Sequence, residues 1–214
     1  MNTKRKIVYG VAHNDYAGRI KENGKHIRSY RSWISMLSRC YGEKELNNRP
    51  SYKGCSVCDE WLLFSNFKKW FDDPTNGYQN GYCLDKDILI KGNKVYSPNT
   101  CCFVPNEINT LLLESNNSRK PNGIKGVYKT KVNTFIAGYS NGKEKRVYLG
   151  SFKTLKEAKL AYSTFKEKRV KSIAQEYFDK GKITLKVYKA LMNYKAYYGK
   201  RSNNNKEGYW LESI

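Results

Sequence analysis

The chain has 214 residues, enough for one large domain or for two small domains with separate cores. Hydrophobic residues make up 39% of it and aromatic residues 14%, which is more apolar material than a disordered chain carries. No window approaches the apolar run of a membrane span, and the first residues lack the apolar core of a signal peptide. The sequence therefore predicts a folded protein of the cytoplasm without a membrane partner.

Positive charge is large and unevenly distributed. Forty Lys and Arg against 19 Asp and Glu give a formal net charge of +21. Residues 1–118 hold 17 basic and 12 acidic side chains, whereas residues 119–214 hold 23 and 7. Repulsion between so many positive side chains destabilises a compact fold unless a polyanion binds and neutralises them. A solubilising surface and an anionic membrane are the alternatives, but 18 interleaved Tyr and no amphipathic anchor favour nucleic acid.

The first third of the chain predicts two aromatic helices behind an irregular arm. Residues 1–28 are polar and contain glycines, so we expect them to be irregular. Residues 29–41 carry aromatic and apolar side chains at helical spacing. A second run of this kind covers residues 59–71, with Asp59 as its N-cap. We expect both helices to form core and scaffold, not a surface that stacks on bases.

The next segment predicts a strand–turn–strand–helix unit. Its predicted parts are a strand over 82–90, a turn at Gly92-Asn93, an extended stretch over 95–104, and a helix from Asn106 whose apolar face is Ile108, Leu111 and Leu112. Residues 115–123 are polar, contain Pro and Gly, and coincide with the rise in charge density. They are therefore predicted to be an interdomain linker.

Beyond the linker the pattern predicts a three-stranded antiparallel sheet on a helix, so the fold class is α+β. The predicted strands are 124–131, 134–140 and 146–152, with a hairpin turn at Asn141-Gly142. A long helix follows Thr154 as N-cap. A basic helix over 184–198 would direct Leu185, Tyr188, Leu191 and Met192 inward.

Strand parity separates the two faces of this sheet. The face toward the helix is predicted to hold Val127, Phe135, Ala137, Tyr139, Val147 and Leu149. The open face would hold Tyr128, Thr130, Ile136, Gly138, Ser140, Arg146 and Tyr148. Arg146 is best placed for a bidentate contact to a base or a phosphate. Cross-strand packing is the alternative role for Tyr128 and Tyr148, but a face without a second cover favours contact with a partner.

Six cysteines are spread over residues 40–102. Cys55 and Cys58 have the CxxC spacing of half a zinc site, and Cys83 or one of Cys101 and Cys102 would have to complete it. Adjacent residues of a strand point to opposite faces, so at most one of Cys101 and Cys102 could take part. Buried free thiols are favoured over a structural zinc ion.

The strand–turn–strand–helix unit resembles the HNH, or ββα-metal, nucleases. The matching runs are Leu84-Asp85-Lys86-Asp87-Ile88-Leu89, Gly92-Asn93-Lys94, Tyr96-Ser97-Pro98, Phe103-Val104-Pro105 and Ile108-Asn109. They look like phage-encoded HNH-like proteins and are similar to rare-cutting HNH restriction enzymes, with coverage of about residues 30–112. The resemblance implies that Asp85 and Asn109 hold one divalent cation, Mg²⁺ or Mn²⁺, which stabilises charge at the scissile phosphate.

This sequence departs from the HNH pattern at the general base. Most HNH enzymes have His after that Asp, whereas Lys86 stands here, and an exposed protonated Lys is a poor base. At the middle Asn of the pattern this sequence has Thr100, and the neighbouring Asn99 is the alternative for that role. Some relatives recruit a Tyr as base, so Tyr78, Tyr82 and Tyr96 are candidates, whereas His13 and His26 lie outside the motif. The candidate catalytic residues are Asp85, Asn109, Asp87 and Tyr96.

Residues 124–165 resemble the Apetala/ERF-type DNA-binding domain, which also occurs fused to HNH homing endonucleases. The matching runs are Lys125-Gly126-Val127-Tyr128, Phe135-Ile136-Ala137-Gly138, Arg146-Val147-Tyr148-Leu149-Gly150-Ser151-Phe152 and Glu157-Ala158. The resemblance implies a sheet in the major groove of double-stranded DNA, backed by the helix. Tyr128, Thr130 and Ser140 stand where the plant proteins use Arg, so we do not expect the plant sequence preference. The candidate DNA-binding residues are Tyr128, Lys129, Thr130, Lys131, Lys145, Arg146 and Tyr148, with Lys129, Lys131, Lys143 and Lys145 directed to phosphates.

These observations predict a phage or mobile-element endonuclease with two domains. Residues 1–118 would form the HNH-like nuclease domain, and residues 119–214 the Apetala/ERF-like domain with a basic C-terminal helix. The alternative is a non-catalytic DNA-binding regulator or accessory factor that retains a degenerate HNH fold, and an RNA-binding protein is a third hypothesis. The sequence specifies no target site, number of strands cut or oligomeric state.

Overall fold

The computed structural model describes residues 7–112, 126–140 and 145–196. The chain forms two compact units: Met1–Leu112 with Val170–Tyr194, and Leu113–Arg169 with Lys195–Ile214. In the described ranges, no helix combines the length and the apolar character that crossing a membrane requires. The predicted linker at 115–123 and the predicted turn at Asn141-Gly142 lie outside the described residues.

The described ranges contain nine strands and six α-helices, and the fold is α+β as predicted. In chain order they are β1 (Lys21–Glu22), β2 (Lys25–His26), α1 (Arg28–Tyr41), α2 (Glu43–Asn48), β3 (Ser56–Val57), α3 (Phe64–Asp72), β4 (Tyr82–Asp85), β5 (Val95–Tyr96), β6 (Cys102–Pro105), α4 (Asn106–Leu112), β7 (Val127–Lys129), β8 (Phe135–Tyr139), β9 (Val147–Phe152), α5 (Leu155–Asp179) and α6 (Leu185–Met192).

An aromatic core holds the N-terminal part of the first unit together. Trp33 of α1 and Phe64 of α3 are fully buried with their ring centroids 5.2 Å apart. The Trp33 indole donates a hydrogen bond of 2.7 Å to the carbonyl of Trp61. The prediction that these helices form core is therefore confirmed.

The N-terminal arm is more ordered than predicted, and it changes the second helix. Strands β1 and β2 form a short antiparallel hairpin. The backbone N–H of His13 donates to the carbonyl of Leu62, and the carbonyl of His13 accepts from Phe64. Because this bridge uses backbone groups that a continuous helix would need, the predicted helix over 59–71 divides into a 3₁₀ turn and α3.

Strands β4 and β6 form an antiparallel pair whose two faces enter two different cores. Asp85 lies opposite Cys102, and Leu84 lies opposite Phe103. Directly opposite residues share a face, and the face alternates along each strand. Leu84 and Phe103 are buried in the aromatic core, whereas Cys102 is buried in a second cluster. The strand pair therefore has no face open to solvent.

The second cluster joins the strand pair and α4 to the C-terminal helices. Val104 and Ile108 pack there with side chains from the last part of α5 and from α6 and its approach: Val170, Ile173, Ala174, Ile183, Val187 and Leu191. The structure thus groups residues 170–194 with the first unit, whereas the predicted boundary put all of 119–214 in the second domain. The reason is that the apolar face carrying Cys102 needs a cover, and these helices supply it.

The inward face of α6 differs from the predicted one. Leu191 is buried as predicted, but Leu185 is exposed and Val187 is fully buried instead. Val187 and Leu191 are four residues apart on one side of the helix, and Ile183, just before the helix, packs in the same cluster.

The second unit contains the predicted three-stranded antiparallel sheet on α5. Val127, Ala137 and Tyr139 are buried as predicted, and the Tyr139 ring lies 5.1 Å from that of Phe165 on α5. Thr154 caps α5 in a capping box with Glu157, in which each accepts the backbone N–H of the other.

A β-bulge in β9 changes the predicted strand parity. Ala137 lies opposite Gly150 but Gly138 lies opposite Tyr148, so Leu149 is the extra residue. Gly150 has φ of +134°, a conformation that side chains disfavour. Ser151 therefore shares the open face, whereas an uninterrupted strand would turn it toward α5. Val147 shares the face of Tyr139, but its side chain is exposed, unlike the prediction.

We predict that two leucines of α6 respond differently to the same substitution. Leu191 is 2% exposed and Leu185 is 51% exposed. Leu191→Ala should cost about 2–5 kcal/mol of unfolding free energy because it leaves a cavity in the second cluster. Leu185→Ala should change it by less than about 0.5 kcal/mol. Urea unfolding followed by tryptophan fluorescence measures both, and equal losses would contradict the packing of α6 on the strand pair.

Candidate functional site

The carboxylate of Asp85 marks the end of β4. Its Oδ1 accepts backbone N–H groups from Asp87 and Ile88, each at 2.8 Å. These bonds turn the chain away from the strand direction, as Asp side chains commonly do in turns. The predicted strand over 82–90 therefore stops at Asp85, and Asp87 lies in the turn beside it.

Asp85 and Asp87 form a close pair of carboxyl groups. Burial, and after it the neighbouring Asp87 carboxylate, raises the pKa of Asp85 to about 6, although the two backbone N–H bonds act in the opposite direction. Asp85 is half-buried, whereas Asp87 is exposed. The pair therefore combines an enclosed carboxylate with one that water reaches.

Helix α4 carries Asn109 beside the strand pair. The helix follows β6 directly and contacts both β4 and β6. At its start, Oδ1 of Asn106 lies 3.6 Å from Sγ of Cys83. From Cys83 to Asp85 the strand advances about 6.6 Å on one face. From Asn106 to Asn109 the helix advances about 4.5 Å on one side, so a course along β4 would bring the half-buried Asn109 level with Asp85.

This donor set fits a hard divalent cation. Carboxylate and amide oxygens are the ligands that Mg²⁺ and Mn²⁺ prefer. The Asp87 carboxylate opposes the ionisation of Asp85, and a bound cation would offset that opposition. Over the described ranges, no three His, Cys, Asp or Glu side chains meet as a metal-binding group.

The cysteines are free thiols distributed between the two cores. Cys55 and Cys101 are buried in the aromatic core, and Cys58 packs against it. Cys102 belongs to the second cluster, so the prediction that Cys101 and Cys102 point to opposite faces is confirmed. Burial raises the pKa of Cys101 to about 12, which keeps this group a thiol at neutral pH.

Lys86 is buried, contrary to the expectation of an exposed side chain. The residue is 7% exposed, and its ammonium lies 3.3 Å from Oδ2 of Asp87 and 5.9 Å from the centre of the Tyr96 ring. Its contact with Tyr96 places it on the side of the aromatic core, whereas Asp85 lies opposite Cys102, which belongs to the second cluster. An ammonium group only donates hydrogen bonds, so Lys86 holds Asp87 in position instead of accepting a proton.

Asn93 ties the loop between β4 and β5, whereas Thr100 or Asn99 was predicted to stand for the middle Asn of the HNH pattern. Its Nδ2 donates to the carbonyls of Lys86 at 2.6 Å and Val95 at 2.7 Å. Thr100 contributes a further bond of 2.7 Å from its hydroxyl to the Val95 carbonyl. The Gly92-Asn93 turn signal was the one indication of this role in the sequence.

The tyrosine candidates for a base are engaged elsewhere. Tyr96 is 1% exposed in the aromatic core, and burial raises its pKa, so its position does not support the predicted catalytic role. Tyr82 donates its hydroxyl to the carbonyl of Lys182 at 2.8 Å. Tyr78 packs in the aromatic core, 4.2 Å from the Phe71 ring.

The open face of the second unit presents an arginine held over an aromatic ring. The guanidinium of Arg146 lies 4.3 Å from the centre of the Tyr128 ring. A Cβ added at Gly138 would meet this guanidinium, so the glycine leaves the space that Arg146 occupies. Tyr128 and Tyr148 are exposed on this face, as the parity argument predicted.

The other predicted contact residues of this unit differ in their availability. Lys129, Lys131 and Lys145 are exposed. Thr130 is used within the hairpin between β7 and β8, because its hydroxyl lies 2.8 Å from that of Thr134 and accepts the Thr134 N–H. Lys143 lies outside the described residues.

The chain matches no family model, no curated protein and no solved structure.

We predict that Asn93→Ala destabilises the first unit by about 1–3 kcal/mol, because the Lys86 carbonyl loses the Asn93 donor and the Val95 carbonyl keeps only that of Thr100. Asn99→Ala is the matched control, since Asn99 is exposed on the neighbouring turn. Thermal and urea unfolding of both variants measure the difference. A larger loss at Asn99 would mean that Asn93 does not tie the loop.

Proposed function

We propose that the chain is a divalent-metal-dependent DNA endonuclease of the HNH kind, joined to an Apetala/ERF-type reading surface. The observation that carries this proposal is the strand–strand–helix unit, in which the enclosed Asp85 lies beside the exposed Asp87 and Asn109 is carried by the covering helix. The Asp87 carboxylate opposes the ionisation of the enclosed Asp85, and a carboxyl group perturbed in this way is typical of functional sites.

In this proposal the residues divide the work between binding and proton transfer. Asp85 and Asn109 hold a Mg²⁺ or Mn²⁺ ion, whose charge would stabilise the negative charge that develops at the scissile phosphate. Asp87 accepts the proton of the attacking water while the water oxygen bonds to phosphorus and the phosphodiester P–O bond breaks. Lys86 takes the place of the usual His by holding Asp87 through Oδ2.

The second unit supplies the surface that reads duplex DNA. The guanidinium of Arg146 can donate two parallel hydrogen bonds, and its contact with the Tyr128 ring restricts the orientation of this group. Lys129, Lys131 and Lys145 supply sequence-independent attraction to phosphates. Thr130 is omitted from this set because its hydroxyl is already hydrogen-bonded.

One observation favours a non-catalytic DNA-binding protein as the second candidate. In the described part of the chain, the position after Asp85 carries a buried Lys, and both histidines lie elsewhere: His13 bridges to Leu63, and His26 contacts Tyr30. Metal-dependent nicking of supercoiled plasmid separates the two candidates. Competition of duplex RNA against duplex DNA tests the RNA-binding hypothesis.

We predict that plasmid nicking requires Mg²⁺ or Mn²⁺, stops in EDTA, and falls roughly a hundredfold or more in Asp85→Ala and in Asn109→Ala. The same two variants should lose Mn²⁺ binding in isothermal titration calorimetry. Asp87→Asn should lose nicking but retain Mn²⁺ binding, because its proposed role is proton transfer.

Asp59→Ala is the control for these variants, since Asp59 is an exposed carboxylate on another element of the same unit. It should nick plasmid at the wild-type rate. Full activity of the Asp85→Ala, Asn109→Ala double variant would remove the site assignment.

We predict that Arg146→Ala costs about 1–3 kcal/mol of binding free energy on a selected DNA sequence and less on random DNA. Lys129→Ala should weaken binding to both DNAs equally, because Lys129 is proposed to contact phosphates only. Tyr128→Phe is the control that keeps the ring under Arg146. Fluorescence anisotropy measures all three, and equal losses on both DNAs for Arg146→Ala would show that this face does not read bases.

A further inference from the structure

A cleft of about 730 Å³ opens in the first unit, away from the carboxylate pair. Its walls are the residues around the β1–β2 hairpin, the first turn of α1, and the end of α3 with the turn that follows. No residue of the proposed metal site lines it. The cleft is therefore a separate feature of the same unit.

The cleft is lined by five cationic side chains from four parts of the chain. Arg19 precedes the hairpin, Lys25 lies on it, Arg28 and Arg31 lie on the first turn of α1, and Lys68 lies on α3. Lys68 is paired with Asp72. The other four are exposed and form no ion pair with any residue that the structure describes.

The acidic side chains of the cleft do not cancel this charge. Asp72 is already paired with Lys68. Asp73 accepts the backbone N–H and the hydroxyl of Thr75. Glu22 of the hairpin is the third acidic residue in the lining. The cleft therefore retains a positive potential.

The first turn of α1 faces this cleft without a cap. Ile27 is its N-cap residue, no side chain accepts from the first N–H groups, and no acidic residue lies in the first turn. The start of a 14-residue helix thus presents unsatisfied donors and the positive end of the helix dipole.

Ser29 is the independent observation that points to a ligand. It lines the cleft although only 3% of its surface is exposed. Its hydroxyl has no hydrogen-bond partner among the described residues. The hydroxyl is not among the described side-chain atoms that are buried without a partner, so it opens to the cleft, where an anionic oxygen can accept from hydroxyl, backbone N–H and guanidinium donors together.

We propose that this cleft binds the phosphates of the duplex DNA backbone, through Ser29, the N-terminal N–H groups of α1, Arg28 and Arg31. The proposal rests on the proposed function, because that function requires the first unit to hold DNA. A duplex offers one phosphate per strand for about every 3.4 Å of its axis, so a cleft lined from several elements would meet more than one. The first unit would thus contribute affinity that does not depend on sequence.

The experiment measures the salt dependence of duplex binding by the full chain, with EDTA present to prevent cleavage. Arg28→Ala with Arg31→Ala should reduce the slope of log affinity against log salt by about 1.8, because two phosphate contacts are lost. The control pair Lys44→Ala with Lys53→Ala removes the same charge from exposed positions outside the cleft and should leave the slope unchanged. Arg28→Lys with Arg31→Lys keeps both charges and should retain the slope.

Ser29 gives a second readout that does not change net charge. Ser29→Ala should weaken duplex binding severalfold, whereas Ser35→Ala, at an exposed position of the same helix, should not. Inorganic phosphate at millimolar concentration should compete with duplex less well in the Arg28→Ala, Arg31→Ala variant than in the wild type.

The outcomes separate this inference from the proposed function. Equal slopes for the two alanine pairs, in a wild type that binds and nicks DNA, would overturn the inference and leave the proposed function standing. A wild type that does not bind duplex would overturn both. Loss of duplex RNA binding without loss of duplex DNA binding in the arginine variant would also overturn the inference.

Discussion

The antiparallel pairing of β4 with β6 is the interaction on which the first unit depends. Four residue pairs hold the strands together, and alternate side chains enter different cores. A two-stranded sheet is marginal by itself, so its stability comes from the two covers. Because α4 continues directly from β6, the same pairing also sets where the helix begins and which of its residues reach the end of β4.

Periodicity predicted the parts of the molecule that are governed by local spacing. The aromatic helices, the strand–strand–helix order, the N-cap at Thr154 and the three-stranded sheet each follow from residues close in sequence. The covering of the Cys102 face by residues 170–194 could not be predicted in this way. Any helix with an apolar stripe could cover the face that carries Cys102. The spacing of apolar residues in α6 does not specify which surface the helix packs against.

The candidate site likewise combines features that local sequence predicts with features that depend on distant parts of the chain. Asp85 and Asn109 were predicted from a local run that resembles HNH proteins, and alternation along β4 predicts that Asp85 and Leu84 point to opposite faces. The burial of Lys86 was not predictable, because it depends on Tyr96 and on a core assembled from distant helices. The loss of parity at Leu149 depends on one inserted residue, for which Gly150 was the only local sign.

Two adjacent cysteines make the two covers of the strand pair chemically distinguishable. Cys101 and Cys102 are both fully buried, one under the aromatic helices and the other under the C-terminal helices. Each sulfur becomes accessible to solvent only when the helices packed over it detach, because the strand pair separates the two clusters. A thiol reagent would therefore report the opening of two opposite layers from neighbouring positions of one backbone, as two separate rates.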